Sequence, residues 1–255
     1  MQIRILGCSG GIAAGTRTSA MMVDDDVLID AGTGIGDLSL GDLQSIRHVF
    51  LTHSHLDHIA GLPMLIDCIF SENLETPVTV YGRAETLDAL RRHIFNWVIW
   101  PDFAQLPSAD RAVLRYRECN PGDTVRVGHR DFHAVDVTHT VPAMGFTVQN
   151  SGGVFAVSGD TRTNETLWPV LNACGDLRAL VIEVSFPDEQ DTLAEMSGHY
   201  CPRTVAVDLA KLQHAPDIWL TGMKPGAEQQ ILQQVVASLP DRNVRMLARD
   251  TTIIV

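Results

Sequence analysis

The sequence predicts an α/β fold in which two facing mixed sheets are flanked by helices. Three observations predict it. Short apolar runs of strand length recur in both halves of the chain, helical spacing falls between and outside them, and no repeat or low-complexity linker divides the 255 residues. With 45% apolar and 20% charged residues the chain can bury a substantial core. One domain over residues 1–255 is therefore expected, with a helical, aromatic insert around residues 83–110.

In order, Ile3–Leu6, Ala20–Val23 and Val27–Ile29 read as strands, and Asp24-Asp25-Asp26 as the hairpin turn between the last two. His48–Leu51 is a short apolar strand that runs into a histidine cluster. A helix over Ile59–Phe70 and a strand over Val78–Tyr81 follow. Arg83–Val98 has helical spacing, with Leu87, Leu90, Ile94 and Phe95 on one side, and Pro101 and Pro107 stop it. Strands recur at Val113–Arg117, Thr124–Val127, Phe132–Val137, Gly145–Val148 and Val154–Val157. The last third alternates: helix Leu167–Ala173, strand Ala179–Glu183, helix Arg203–Leu212, strand Ile218–Thr221, helix Ala227–Leu239, strand Val244–Leu247.

Charge and composition exclude several classes. A net charge of −12 supplies no global basic footprint for nucleic acid. No apolar run approaches the ~20 residues of a membrane helix. Met1-Gln2-Ile3-Arg4 lacks the charged and apolar regions of a signal peptide, so a soluble cytoplasmic protein is expected. The five cysteines are scattered and odd in number, without a C-x-x-C pair, and read as reduced thiols.

Thr52-His53-Ser54-His55-Leu56-Asp57-His58 carries the strongest chemical signal. Imidazole and carboxylate are ligands suited to zinc, manganese or iron, and this spacing after a strand lets His53 and His55 face one ion while Asp57 and His58 face a second. Further donors must come from elsewhere. Asp30, His139 and Asp160 each follow a predicted strand, where sites on sheet scaffolds are built. A carboxylate such as Asp160 can bridge two ions. His48, His93, His129, His133 and His214 lack such a setting and read as surface or structural residues.

The ordered set Asp30, His53-x-His55-x-Asp57-His58, His139 and Asp160 resembles the metallo-β-lactamase superfamily, whose fold is an αβ/βα sandwich with metals at strand ends. Leu6–Gly11, Thr52–Pro63, Phe95-Asn96-Trp97 with Trp100-Pro101-Asp102-Phe103, Glu183–Pro187 and Ser197-Gly198-His199 are similar to the class II cyclic-nucleotide phosphodiesterases. That resemblance implies two divalent ions, zinc first and manganese or iron next. His53, His55 and His139 would hold one; Asp57 and His58 would hold the other, with Asp160 bridging. It implies catalytic work for Asp57 and Asp160, with His199 near a leaving or phosphate oxygen, Glu183 orienting a histidine, and Asp30 orienting ligands. The implied reaction is hydrolysis of cAMP or cGMP, a small-molecule substrate, to the 5′-nucleotide. Phe95, Trp97, Trp100 and Phe103 would either stack on a purine or pack in the core.

One position departs from the family pattern. A Thr-His-x-Lys-Pro run is expected, and this chain reads Thr221-Gly222-Met223-Lys224-Pro225, which removes a ligand from the second metal. Two other readings share these residues: an RNase Z-like tRNA-processing endonuclease, which the −12 charge disfavours, and a cyclic-nucleotide-binding protein with little or no catalysis. The sequence sets no oligomeric state; a homodimer is the default.

Overall fold

The computed structural model describes residues 1–71 and 75–255. Sheet one is built from β1 (Gln2–Gly7), β2 (Ala20–Val23), β3 (Val27–Ile29), β4 (His48–Phe50), β5 (Val78–Gly82) and β6 (Leu114–Glu118). Sheet two contains β7 (Thr124–Val127), β8 (Arg130–Val137), β9 (Ala143–Asn150), β10 (Gly153–Val157), β11 (Leu177–Glu183), β12 (Asp217–Thr221) and β13 (Val244–Met246). The chain then returns to sheet one through β14 (Thr252–Ile254), which lies outside β1. The spatial orders are β14-β1-β2-β3-β4-β5-β6 and β13-β12-β11-β10-β9-β8-β7. Pairing is parallel from β3 to β6 and from β10 to β13, and antiparallel elsewhere, so both sheets are mixed.

Alternation along the strands sets the layers. Met21, Ile29, Phe50, Phe132, Phe146 and Val181 fill the space between the sheets, where Phe50 stacks on Tyr81 at 4.4 Å and on Phe132 at 4.3 Å. Their chain neighbours face outward. Leu28 and Val49 pack with Leu62 and Ile66 of helix α3 (Leu62–Cys68) and with Leu87 of α4 (Ala84–Ala89). Leu180 and Ile218 pack with Trp168 of α5 (Leu167–Ala173), Val205 of α7 (Pro202–Leu209) and Ile231 of α8 (Glu228–Ser238). Strands buried on both faces read as near-continuous apolar runs, which is why they were visible in the sequence. The expected sandwich of two helix-flanked sheets is the observed fold.

Several elements differ from expectation. The helix expected over Ile59–Phe70 is broken into α2 (Leu56–Ile59) and α3. Gly61 separates them because its backbone is pressed against the 3-10 turn Thr33–Asp37: a Cβ there would lie 2.5 Å from Ile35. The helix expected to reach Val98 continues from α4 as one π turn, Leu90–Ile94, and stops, with Trp97 at φ +66°. Phe95 and Phe103 are buried in the layer outside sheet one, so neither is free to stack on a base, whereas Trp97 is exposed. Helices α1 (Leu40–Ser45) and α6 (Asp191–Ser197) and strand β14 were not anticipated.

The acidic hairpin turn does more than reverse the chain. Arg130, at the start of β8 in sheet two, is buried and pairs with Asp24 at 3.1 Å and Asp26 at 2.7 Å, and also donates to Val23 O. It thereby fastens one sheet to the other. Replacing it leaves buried acceptors unpaired, and charged hydrogen bonds of this kind are worth about 1.5–3 kcal/mol. Arg130→Met should therefore lower unfolding free energy by about 2 kcal/mol in urea titration; an unchanged midpoint would refute the cross-tie.

Candidate metal centre

Most residues of the site stand just beyond, or at, the end of a strand; Asp57 and His58 lie in α2 and His199 follows α6. Asp30 follows β3; Thr52, His53 and His55 follow β4; His58 lies in α2, for which His55 is the residue before the first turn. From sheet two, His139 follows β8, Asp160 follows β10, Glu183 ends β11 and Gly222 follows β12. These strands all point the same way, so the carboxyl end of each sheet brings its loops to one edge of the sandwich. There the loops meet across the seam between the sheets.

Three groups of donor atoms lie within 4.8 Å of one another: His53, His55 and His139; His53, His58 and Asp160; and His139, Asp160 and His199. Six of the residues expected from sequence are thus brought together; His53, His139 and Asp160 each belong to two of the three groups, and Asp160 is the carboxylate among them. Asp57 joins more loosely, with Oδ2 3.8 Å from His58 Nε2 at the half-exposed edge. Asp30 stands behind the donors rather than among them.

Hydrogen bonds fix which nitrogen of each ring faces the centre. Asp30 accepts from Thr52 N at 2.8 Å, from Thr52 Oγ1 at 2.9 Å and from His58 Nδ1 at 2.7 Å. Its own backbone is held at φ +58°, a strained setting for a residue with a side chain. Because the single Thr52 hydroxyl proton goes to Asp30, Thr52 Oγ1 must accept from His53 Nδ1 at 3.0 Å. The lone pair of His53 then resides on Nε2, which is buried and has no hydrogen-bond partner among the described residues. His139 Nδ1 donates to Gly198 O at 2.8 Å, which likewise leaves Nε2 bare, 3.1 Å from His55 Nδ1. Two nitrogens on a tetrahedral zinc would be about 3.3 Å apart. An orphaned buried imidazole nitrogen beside two more imidazoles and a carboxylate fits a divalent cation.

Charge reinforces the geometry. Burial holds His53, His55 and His139 below the usual histidine range, as neutral ligands require. Burial also opposes charge on His58, but Asp160 and Asp30 outweigh it and hold the ring well above that range. Asp160 shows the converse: burial favours its neutral form, yet His58 and His53 keep it well below the ordinary carboxylate range. The carboxylate and His58 Nε2 are 3.4 Å apart.

The far side of the site is organised by Glu183. Its carboxylate accepts from His199 Nδ1 at 2.9 Å, from Ser185 Oγ at 3.2 Å, and from the backbone of Thr161 and Tyr200. Burial raises Glu183, while the carboxylate in turn raises His199 against its own burial. Sequence reasoning had no signal for Thr52, Ser185 or Tyr200, whose phenol is fastened to buried Asp208 at 2.5 Å. Gly222 takes φ +73°, donates to Cys8 O at 2.9 Å, and borders a cavity of about 20 Å³ shared with Asp57, His58, Asp160 and Ser185. That space is the size of one water. Gly222 itself brings no side chain to it.

Comparison with known proteins places this geometry among relatives. A model described as the beta-lactamase superfamily domain matches residues 26–223. A probable 3′,5′-cyclic-nucleotide phosphodiesterase of Yersinia pestis is 27% identical over 83% of this chain and 72% of its own length. A 3′,5′-cyclic-nucleotide phosphodiesterase of Aliivibrio fischeri is 27% identical over 82% and 74%. Ribonuclease Z of Methanopyrus kandleri is 26% identical over 58% of this chain and 50% of its own. Among solved structures, unliganded yeast PDE1 superposes with a TM-score of 0.83 at 20% identity, covering 100% and 99% of the two chains. The short form of human tRNase Z gives 0.70 at 18%, again over 100% and 99%.

Proposed function

We propose a phosphodiesterase function from one premise: this chain belongs to the metallo-β-lactamase superfamily, a superfamily of hydrolases. The substrate we assign is a 3′,5′-cyclic nucleotide, opened to the 5′-nucleotide. The observation that carries the reading is the convergence of His53, His55, His58, His139 and Asp160 on one seam. Its support on the substrate side comes from the two bacterial relatives that match most of this chain. Five free cysteines suit a reducing compartment such as the cytoplasm, and no described helix is long and apolar enough to cross a membrane.

In this reading His53, His55 and His139 would hold one divalent ion, and His58, Asp57 and Asp160 would hold the other. Zinc suits the donor set best; manganese or iron would also serve. When bound, such ions supply an acidified water and polarise phosphoryl oxygens. The chain's own residues do the rest. Asp30 locks the His58 ring and, through Thr52, the His53 ring, so both present Nε2 inward. His199, anchored at Nδ1 by Glu183, has its other nitrogen free to donate a proton to the departing 3′-oxygen.

The test is hydrolysis of cAMP and cGMP by purified protein supplied with Zn²⁺ or Mn²⁺, with the 5′-nucleotide identified as product. Failure on both, alongside cleavage of a tRNA precursor, would favour the ribonuclease reading that the ribonuclease Z relative supports. Chelation gives a second check. An ion present at 100 times its Kd contributes about 2.7 kcal/mol, so stripping it should end turnover and lower Tm by roughly 5–10 °C. An unchanged melting curve would argue against a metal in the folded protein.

A further inference from the structure

The cavity beside Gly222 borders the metal centre through Asp57, His58 and Asp160, but metal ligation does not account for Ser9 and Lys224, which also line it. Carboxylates of Asp30, Asp57 and Asp160 line it, and one permanent cation does: Lys224. That lysine is firmly held. Its backbone N–H donates to Ser185 O at 3.1 Å, its Nζ donates to Gly10 O at 2.7 Å, and the ammonium lies 5.7 Å from the centre of the Phe186 ring. One of its three protons is used on Gly10, which leaves two to give.

The neighbouring loop supplies a second unspent group. Ser9 Oγ is buried and has no hydrogen-bond partner among the described residues. Its loop is clamped to the loop that carries Lys224: Ser9 pairs with Met223, Gly10 N donates to Met223 O at 2.9 Å, and Gly222 N donates to Cys8 O. The approach is so close that a Cβ on Gly10 would fall 2.1 Å from Gly222 O. A hydroxyl and an ammonium are therefore set at fixed places around a water-sized space that opens toward Asp57 and Asp160. Buried polar groups without partners are rare enough to call for a ligand.

We propose that Lys224 and Ser9 form an oxyanion subsite, in which the ammonium and hydroxyl donate to a phosphoryl oxygen that enters the space beside Gly222. The subsite rests on the phosphodiesterase reading only for the identity of the ester that carries that oxygen. A phosphoryl oxygen seated there shares the cavity with Asp160 and His58 and is neutralised by Lys224. Where Gly222 contributes no donor, the lysine supplies positive charge from the protein itself.

Calorimetric titration of the metal-loaded protein with inorganic phosphate tests this, with Lys224→Gln, Lys224→Arg and Ser9→Ala compared at equal metal content and equal Tm. A charge-assisted hydrogen bond of this kind should be worth about 10–100-fold in affinity. Lys224→Gln should weaken phosphate binding by that factor, Lys224→Arg should stay within about 3-fold, and Ser9→Ala should lose several-fold. Salt should weaken binding to the wild type more than to Lys224→Gln. Equal phosphate affinity in Lys224→Gln and wild type would overturn the subsite, as would no phosphate binding by the wild type. Should Lys224→Gln misfold, an undiminished affinity in Ser9→Ala overturns it instead. Cyclic-nucleotide turnover is a separate readout: its absence with Lys224-dependent phosphate binding retained defeats the substrate assignment alone.

Discussion

Asp160→Ala should lower kcat/KM for a cyclic nucleotide by on the order of 10³-fold or more, the range seen when a preorganised charge is removed from a reacting centre. The reason lies in position. Asp160 belongs to two of the three donor groups, lies 3.4 Å from His58 Nε2, and is 3.9 Å from His199 Nδ1. No other carboxylate among the described residues touches both halves of the site, so no neighbour can take its place. Removing it also leaves His58 with Asp30 and the more distant Asp57 as its acids. Metal content should fall with activity, most steeply for the ion held by His58. Turnover within 10-fold of wild type, with metal content intact, would remove Asp160 from the centre.

Gly222→His should act in the other direction. A Cβ at this position would meet only ordinary contacts, 3.4 Å from Glu183 Cβ and 3.7 Å from Ser185 Oγ. The backbone is left-handed at φ +73°, a region where histidine is enriched among side-chain-bearing residues, at a cost of about 1–2 kcal/mol. Against that modest loss of stability, an imidazole would enter the cavity from a position that now brings no side chain. Metal stoichiometry should rise toward two ions per chain, and turnover should rise by about 10–100-fold, the scale on which single changes around a metal tune a site. Elemental analysis after dialysis, paired with steady-state kinetics, checks it. An unaltered stoichiometry would show that the second ion does not depend on this corner.

Much of this architecture was legible because its causes are local. Strands buried on two faces are apolar throughout, and β2, β3 and β10 announced themselves that way, whereas β8 showed as an alternation of apolar and polar residues. The cluster from His53 to His58 was equally plain, since four ligand-type residues follow one short strand. What escaped reading has non-local causes. Strand β14 is three residues long, two of them exposed, and exists because β1 offers it an edge. Helix α6 carries exposed Leu193 and Met196, which blur its apolar face. The part played by Thr52 follows from one hydroxyl that donates to Asp30 and accepts from His53, and no spacing rule reports that. Ser9 stood in the Leu6–Gly11 run with no role of its own, because its bridge partner, Met223, is far away in the chain.

The return of β14 to the outer edge of β1 has a consequence for how the chain is made. Met1 and Val255 end up hydrogen-bonded, and Ile3 pairs with Ile253. A ribosome adding ~5–20 residues per second needs roughly 10–45 s to travel from the end of β2 to β14. Throughout that interval β1 has a partner on one side only, and its other row of amides and carbonyls is open to any strand that drifts past. The nascent first half must wait, exposed, for the last segment to seal it. Whatever shields that edge during translation, whether a chaperone or simply the speed of synthesis, bears on the yield of folded protein.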